Sequence, residues 1–190
     1  MLFRLGLNMV LIILGLLSVS EYSYSQINPK SLKETYPVPA KTDNLLFYLQ
    51  RTHNKNTIIY ELNISSDGKL NKQEPVRPYW IRFEEGGKRM ELTYIQKELA
   101  YGVNAEIKDQ KKGSYALKLV SFKSRYIYLQ KHLPDNKYRA YIMINSKVSE
   151  LQSIFVNTVE RTVGFPEVKS IELFGVDLKT NKEVYEKIIP

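Results

Sequence analysis

The sequence predicts an all-β fold, a single antiparallel β-barrel or sandwich of about nine or ten strands with one short helix. Three observations carry that expectation. Apolar residues alternate at period two through most of the chain from Leu45 onward, as in Ile58, Tyr60, Leu62 and Ile64. Turn-forming clusters such as Pro134-Asp135-Asn136 and Asn145-Ser146 recur at short intervals. Helical stretches long enough to make parallel crossovers are missing, so antiparallel pairing is expected.

Taken in order, the chain opens with Arg4 and an apolar run from Leu5 to Leu17. Ser23-Tyr24-Ser25 then offers small residues at a cleavage site. Residues 1–25 thus read as a secretory signal peptide, the apolar run being shorter than the roughly 20 residues of a spanning helix. No transmembrane span is expected after cleavage. Residues 26–44 carry Pro29, Pro37 and Pro39 and read as an extended leader; residues 45–190 read as a single β-rich domain. The chain has no cysteine, which excludes a lipidated N-terminal cysteine and disulfides. An exported protein of this kind points to the periplasm or exterior of a Gram-negative bacterium.

Strands are expected over Leu45–Arg51 and Thr57–Ile64, joined by a turn at Asn54-Lys55-Asn56. The next strand, Arg77 to Phe83, holds the chain's one tryptophan, Trp80, and neither of its faces is plainly polar. It is read as central, covered on both sides. Gly86-Gly87 makes the following turn, because glycine takes positive φ without steric cost. Thr93-Tyr94-Ile95-Gln96 fits a capping box that starts a short helix, with Gly102 as its C′ residue and Leu92, Ile95 and Leu99 toward the core. Further strands follow at Val103–Lys108, around Leu117, around Ile127, and at Tyr138–Ile144. Leu151 to Val159 also fits a helical period through Leu151, Ile154 and Phe155; its valines, threonine and phenylalanine favour a strand. Gly164 and Pro166 end it, and Val168–Val176 and Glu183–Ile189 complete the set.

The pieces FYLQRTHNKNTIIYELN, DGKLNKQEPVRPYWIRF, ELTYIQKELAYGV and FGVDLKTNKEV together resemble the secreted bacterial domain of unknown function numbered 4833. The resemblance covers Asn44 to the C-terminus. It implies a single exported domain and brings no reaction, ligand or catalytic residue.

The net charge is +8, but basic and acidic residues interleave without a block of like charge, so no nucleic-acid partner is expected. A solvated basic surface, or weak attraction to an anionic glycolipid or polysaccharide, fits better. Two histidines, His53 and His132, stand far apart near turns. No metal site, cofactor or catalytic set assembles from such a composition. Arg82 draws more interest: on a covered strand face its guanidinium needs a partner, and Glu98 is the candidate. Trp80, Arg82 and Glu98 are therefore the candidate ligand-binding residues, with a structural ion pair as the alternative. Many of the 14 tyrosines fall on strands, where they either pack across the sheet or present rings to a ligand. The leading reading is a non-enzymatic exported domain that binds a glycan, lipid or other small anionic or apolar molecule through a barrel mouth or an aromatic face. A structural or assembly protein of the envelope is the alternative, and an enzyme the third.

Overall fold

A computed structural model describes residues 36–163 and 166–190. The expected signal peptide over residues 1–25, residues 26–35 of the expected leader, and Gly164 lie outside the described residues. The chain is all-β, with eleven strands among the described residues. They are β1 (Leu45–Arg51), β2 (Asn54–Leu62), β3 (Val76–Arg82), β4 (Lys88–Glu91), β5 (Val103–Asp109) and β6 (Ser114–Leu119). Then follow β7 (Phe122–Lys131), β8 (Tyr138–Ile144), β9 (Lys147–Val159), β10 (Glu167–Asp177) and β11 (Glu183–Ile188). One short helix, α1 (Tyr94–Gln96), runs on as a π-type turn over Lys97–Tyr101.

All eleven strands join one sheet in the order β4-β3-β2-β1-β9-β8-β7-β6-β5, with β10 and β11 branching from β9. The branch follows from the length of β9. Its residue Ser149 pairs with Ile142 of β8 and Asp177 of β10, while Ser153 pairs with Tyr48 of β1 and Phe174 of β10. So β10 takes one edge of β9 along its length, and β8 and β1 share the other edge. The two arms that leave this shared edge enclose one core. Phe47 stacks on Tyr60 at 4.5 Å from one arm, and Leu117, Leu129 and Ile144 come from the other, over Leu151 and Leu173. The result is a curled, open sheet resembling half a barrel, rather than a closed barrel.

Three expectations change. The β1–β9 pair is parallel, against the antiparallel expectation. These strands are joined by most of the sheet itself, so no crossover helix is needed. The strand bearing Trp80, β3, lies next to the edge strand β4 rather than at the centre. The central strand is β9, whose ambiguous spacing has a plain cause: Leu151, Ser153, Ile154 and Phe155 are all buried, so both faces are covered and period-two alternation is lost. The first turn sits two residues earlier than expected, at Thr52-His53, where His53 takes positive φ.

The sheet's edges are blunted. β4 has four residues, KRME, all exposed, and a short charged edge resists pairing with another chain. At the far side Glu186 of β11 receives Arg125 of β7 through two bonds, 2.7 Å from Nη1 and 2.5 Å from Nη2. The same carboxylate accepts the Asn145 N–H at 2.8 Å. One carboxylate therefore ties β7, the β8–β9 turn and β11 together.

Two predictions follow from this frame. A Cβ on Gly175 would lie 2.5 Å from the Glu150 carbonyl oxygen and 2.8 Å from Ile144 Cδ1. Gly175→Ala should therefore destabilise by about 1–3 kcal/mol in urea unfolding, because backbone and core must move apart; an unchanged midpoint would contradict this packing. The Arg125 bonds hold the Glu186 carboxyl below its ordinary value, helped by the Asn145 N–H and opposed by burial. A depressed carboxylate contributes stability that is present above its unfolded value, near 4.5, and is lost as pH falls toward the lower native value. Thermal melts across that interval should show a shallower acid loss in Arg125→Met than in the parent chain.

Candidate functional site

The structure separates the three residues nominated from sequence. Trp80 is packed core, 9% exposed, with Ile58 and Met90 opposite it in the ladders. Its indole N–H reaches Gln96 Oε1 at 3.4 Å, and its ring meets Tyr101 edge-on at 5.3 Å. Arg82 is half-exposed, and its acid is Glu85, 2.7 Å away, not Glu98. The physical reason is local: the 3-10 turn Phe83–Glu85 brings that carboxylate back over the arginine. Glu98 is exposed on the π-type turn.

The capping box forms as expected. The Gln96 N–H donates to Thr93 Oγ1 at 3.3 Å, and the Thr93 N–H donates to Gln96 Oε1 at 3.0 Å. Gln96 thus serves both the helix start and the tryptophan. Gly102, expected as a left-handed cap, has φ −67 and ψ 163. It is needed for space instead, since a Cβ there would lie 2.3 Å from the Lys97 carbonyl oxygen. The apolar stripe also departs from expectation. Leu92 is buried, whereas Ile95 and Leu99 point to solvent, because the turn engages the sheet through Gln96 and Tyr101.

The feature with the geometry of a binding site is a cleft of about 480 Å³ at the other end of β5. It forms where the β2–β3 loop, the β5–β6 turn and the β7–β8 turn converge. Lys69, Lys72, Lys111, Lys112 and Lys131 line it, with Tyr115, Tyr138, Ile64, Leu70 and Ile107 supplying rings and apolar surface. Its volume falls in the range of small-molecule sites. Lys69 pairs with Asp67 at 2.8 Å, and Lys112 lies 3.8 Å from Asp109. Asp109 is also occupied by the N–H groups of Lys111 and Lys112, at 2.9 and 3.0 Å. Among the described residues, Lys72, Lys111 and Lys131 have no acid at ion-pair distance. Lys131 instead lies over the Tyr138 ring, 5.5 Å from its centroid. The Tyr138 hydroxyl rests against Gly113, where a Cβ would lie 2.4 Å away and where φ is +62. That glycine is required twice over, by its backbone angle and by the tyrosine.

Chemically, the cleft offers several unpaired ammonium groups around an aromatic and aliphatic floor. Such a surface suits an anionic group attached to an apolar or ring-shaped body. The sequence signal was faint, because the five lysines come from three segments and form no run. A second residue missed by sequence is Arg51, whose Nε is buried with no hydrogen-bond partner among the described residues. It stands beside Tyr101, whose phenol burial pushes up in pKa, opposed by the Arg51 charge. The strand tyrosines divide as the two readings allowed. Tyr60, Tyr79, Tyr115 and Tyr141 are buried, while Tyr126 and Tyr128 are exposed, with Lys118 4.5 Å from the Tyr126 ring centroid. Among the described residues, no three His, Cys, Asp or Glu side chains are grouped to hold a metal ion. His132 Nδ1 is instead 3.2 Å from Asp135.

The fold places the chain among all-β proteins with an open, curled sheet. The model of a family described as "Domain of unknown function (DUF4833)" matches residues 47–187, and the chain belongs to that family. No curated protein matches the chain, and no solved structure does.

The division of roles at β3 is testable. Trp80→Ala should cost about 3–5 kcal/mol, as truncation of a buried ring does. Arg82→Ala should cost less than about 1 kcal/mol, because its pair with Glu85 is solvent-exposed. A double-mutant cycle should find no coupling between Arg82 and Glu98. A coupling above about 1 kcal/mol there would overturn the assignment of Glu85 as the partner.

Proposed function

We propose that this protein is an exported β-rich binding domain that holds a small anionic molecule with an apolar or ring-shaped body, a glycan or lipid among them. The observation that carries the reading is the lysine-lined cleft, with three cations lacking acid partners among the described residues. Clustered like charges repel, so an anion in the cleft relieves a standing cost. The basic start, apolar run and small-residue site within residues 1–25 support export to the periplasm or exterior of a Gram-negative bacterium. Among the described residues, no helix is long and apolar enough to cross a membrane.

Calorimetric titration tests the cleft with four probes: dodecyl phosphate, an acidic oligosaccharide, inorganic phosphate and neutral dodecyl maltoside. At least one of the first two should bind more tightly than both of the last two, since charge and body act together. The Lys111→Gln/Lys131→Gln double variant should weaken that binding by about tenfold or more, with an unchanged melting temperature, because both side chains are exposed. Equal affinity in parent and variant would sink the assignment.

A further inference from the structure

The charges of the cleft are unbalanced, and they arrive from three directions. Among the described residues no acid lines it, and the flanking Asp67 and Asp109 answer only Lys69 and Lys112. Lys72 comes from the β2–β3 loop, Lys111 from the β5–β6 turn and Lys131 from the end of β7. Among the described residues none of these three has an acid at ion-pair distance, and no arginine lines the cleft. Lys131 stands opposite Tyr138 in the β7–β8 ladder and lies over its ring, while the Tyr138 hydroxyl rests against Gly113 of the β5–β6 turn. That ring therefore bridges two of the three segments. Ile64, Leu70 and Ile107 add aliphatic surface to the same lining.

Such a lining discriminates among anions. An arginine presents a rigid planar fork that matches the two oxygens of a carboxylate, whereas a lysine is a point charge with three rotatable donors. Three point charges from three segments suit a tetrahedral head with three terminal oxygens, one for each ammonium. Sulfate and phosphate monoesters both have that shape. The phosphate can carry a second charge, which it gains near a pKa of about 6. Coulomb attraction scales with ligand charge, so the surplus of cations favours the dianion. All three lysines are exposed, so a dianion keeps part of its hydration and avoids the full cost of burial. We infer, resting on the anion-binding reading of this cleft, that it takes a phosphate monoester as the dianion, in preference to a sulfate or a carboxylate. A sugar ring and an alkyl chain both offer an apolar face to the Tyr138 ring and the aliphatic side chains, so either body can carry the phosphate.

Two matched pairs of probes isolate the head group: hexyl phosphate against hexyl sulfate, and a hexose phosphate against the matching hexose sulfate. Each is titrated into the full chain at about pH 7.5 and about pH 5, on either side of the second phosphate ionisation. In at least one pair the phosphate should bind about fivefold or more tightly than the sulfate at the higher pH. The ratio should fall toward equality at the lower pH, where the phosphate ester is a monoanion. Burial pushes the Tyr115 and Tyr138 phenols up, so neither ionises in this range. Protonation of Asp67, Asp109, Asp135 or His132, whose carbonyl accepts the Asn136 N–H at the cleft, makes the surroundings more positive. That change favours the more highly charged probe, so it opposes the expected fall and cannot produce it. Lys72→Gln, Lys111→Gln and Lys131→Gln should each weaken phosphate binding severalfold with an unchanged melting temperature. Equal affinities within both pairs at the higher pH, or a ratio that holds or rises at the lower one, overturns the inference. If the lysine variants still weaken both probes, the anion-binding reading survives that loss. A single variant that binds phosphate like the parent also overturns it, since the head would not span three ammonium groups. Binding of none of the four probes overturns it too, and it removes the wider reading only when the acidic oligosaccharide and dodecyl phosphate fail as well.

Discussion

The fold depends on one shared edge. Along a single side of β9, the ladder passes from β8 to β1 within a few residues, from Glu150 opposite Tyr141 to Ser153 opposite Tyr48. Two strands cannot occupy the same hydrogen-bonding positions, so each must leave β9 where the other begins. That requirement turns a flat ribbon into two arms. Hydrophobic burial then draws the arms over a common core, and Leu151 and Ile154 of β9 lie at its base. The parallel direction of β1 against β9, in an otherwise antiparallel sheet, is a by-product of this branching.

Such an arrangement leaves ends open, and the chain treats its two ends differently. At one, the segment from Thr93 to Gly102 is fastened to the sheet by Gln96, Tyr101 and the β6–β7 turn. At the other, turns carrying lysines meet without filling the space between them, and a cleft remains. The open edges are guarded by means that cost little: a four-residue charged strand at β4, and at β11 an arginine–carboxylate fork that ties the strand back.

Charge is distributed by the same logic. Acids that serve the fold are paired or accept backbone N–H groups. Glu186 holds Arg125, Asp135 is driven to about 2 chiefly by Arg139, and Glu167, with Lys169 and Arg161, likewise reaches about 2. Several of the surplus cations of a chain with net charge +8 are left where structure makes little use of them, around the cleft. Single exposed ion pairs contribute little to stability, so their positions are free to serve recognition.

By itself the sequence determined what local chemistry determines. Period-two alternation revealed most of the strands, Asn145-Ser146 and Gly86-Gly87 revealed turns with positive φ, and Thr93 with Gln96 revealed a capping box. Each depends on residues a few positions apart, and their geometry is nearly the same in any fold. The family was legible for a similar reason, since YWIRF and YIQKELAYG are contiguous strings. Only the tertiary structure decided which strand is central, which acid Arg82 meets, and that Ile95 and Leu99 face solvent. It alone gathered lysines from three distant segments into one cleft. Those outcomes depend on which surfaces meet after the chain folds back, and a residue's near neighbours in sequence carry no record of its partners a hundred residues away.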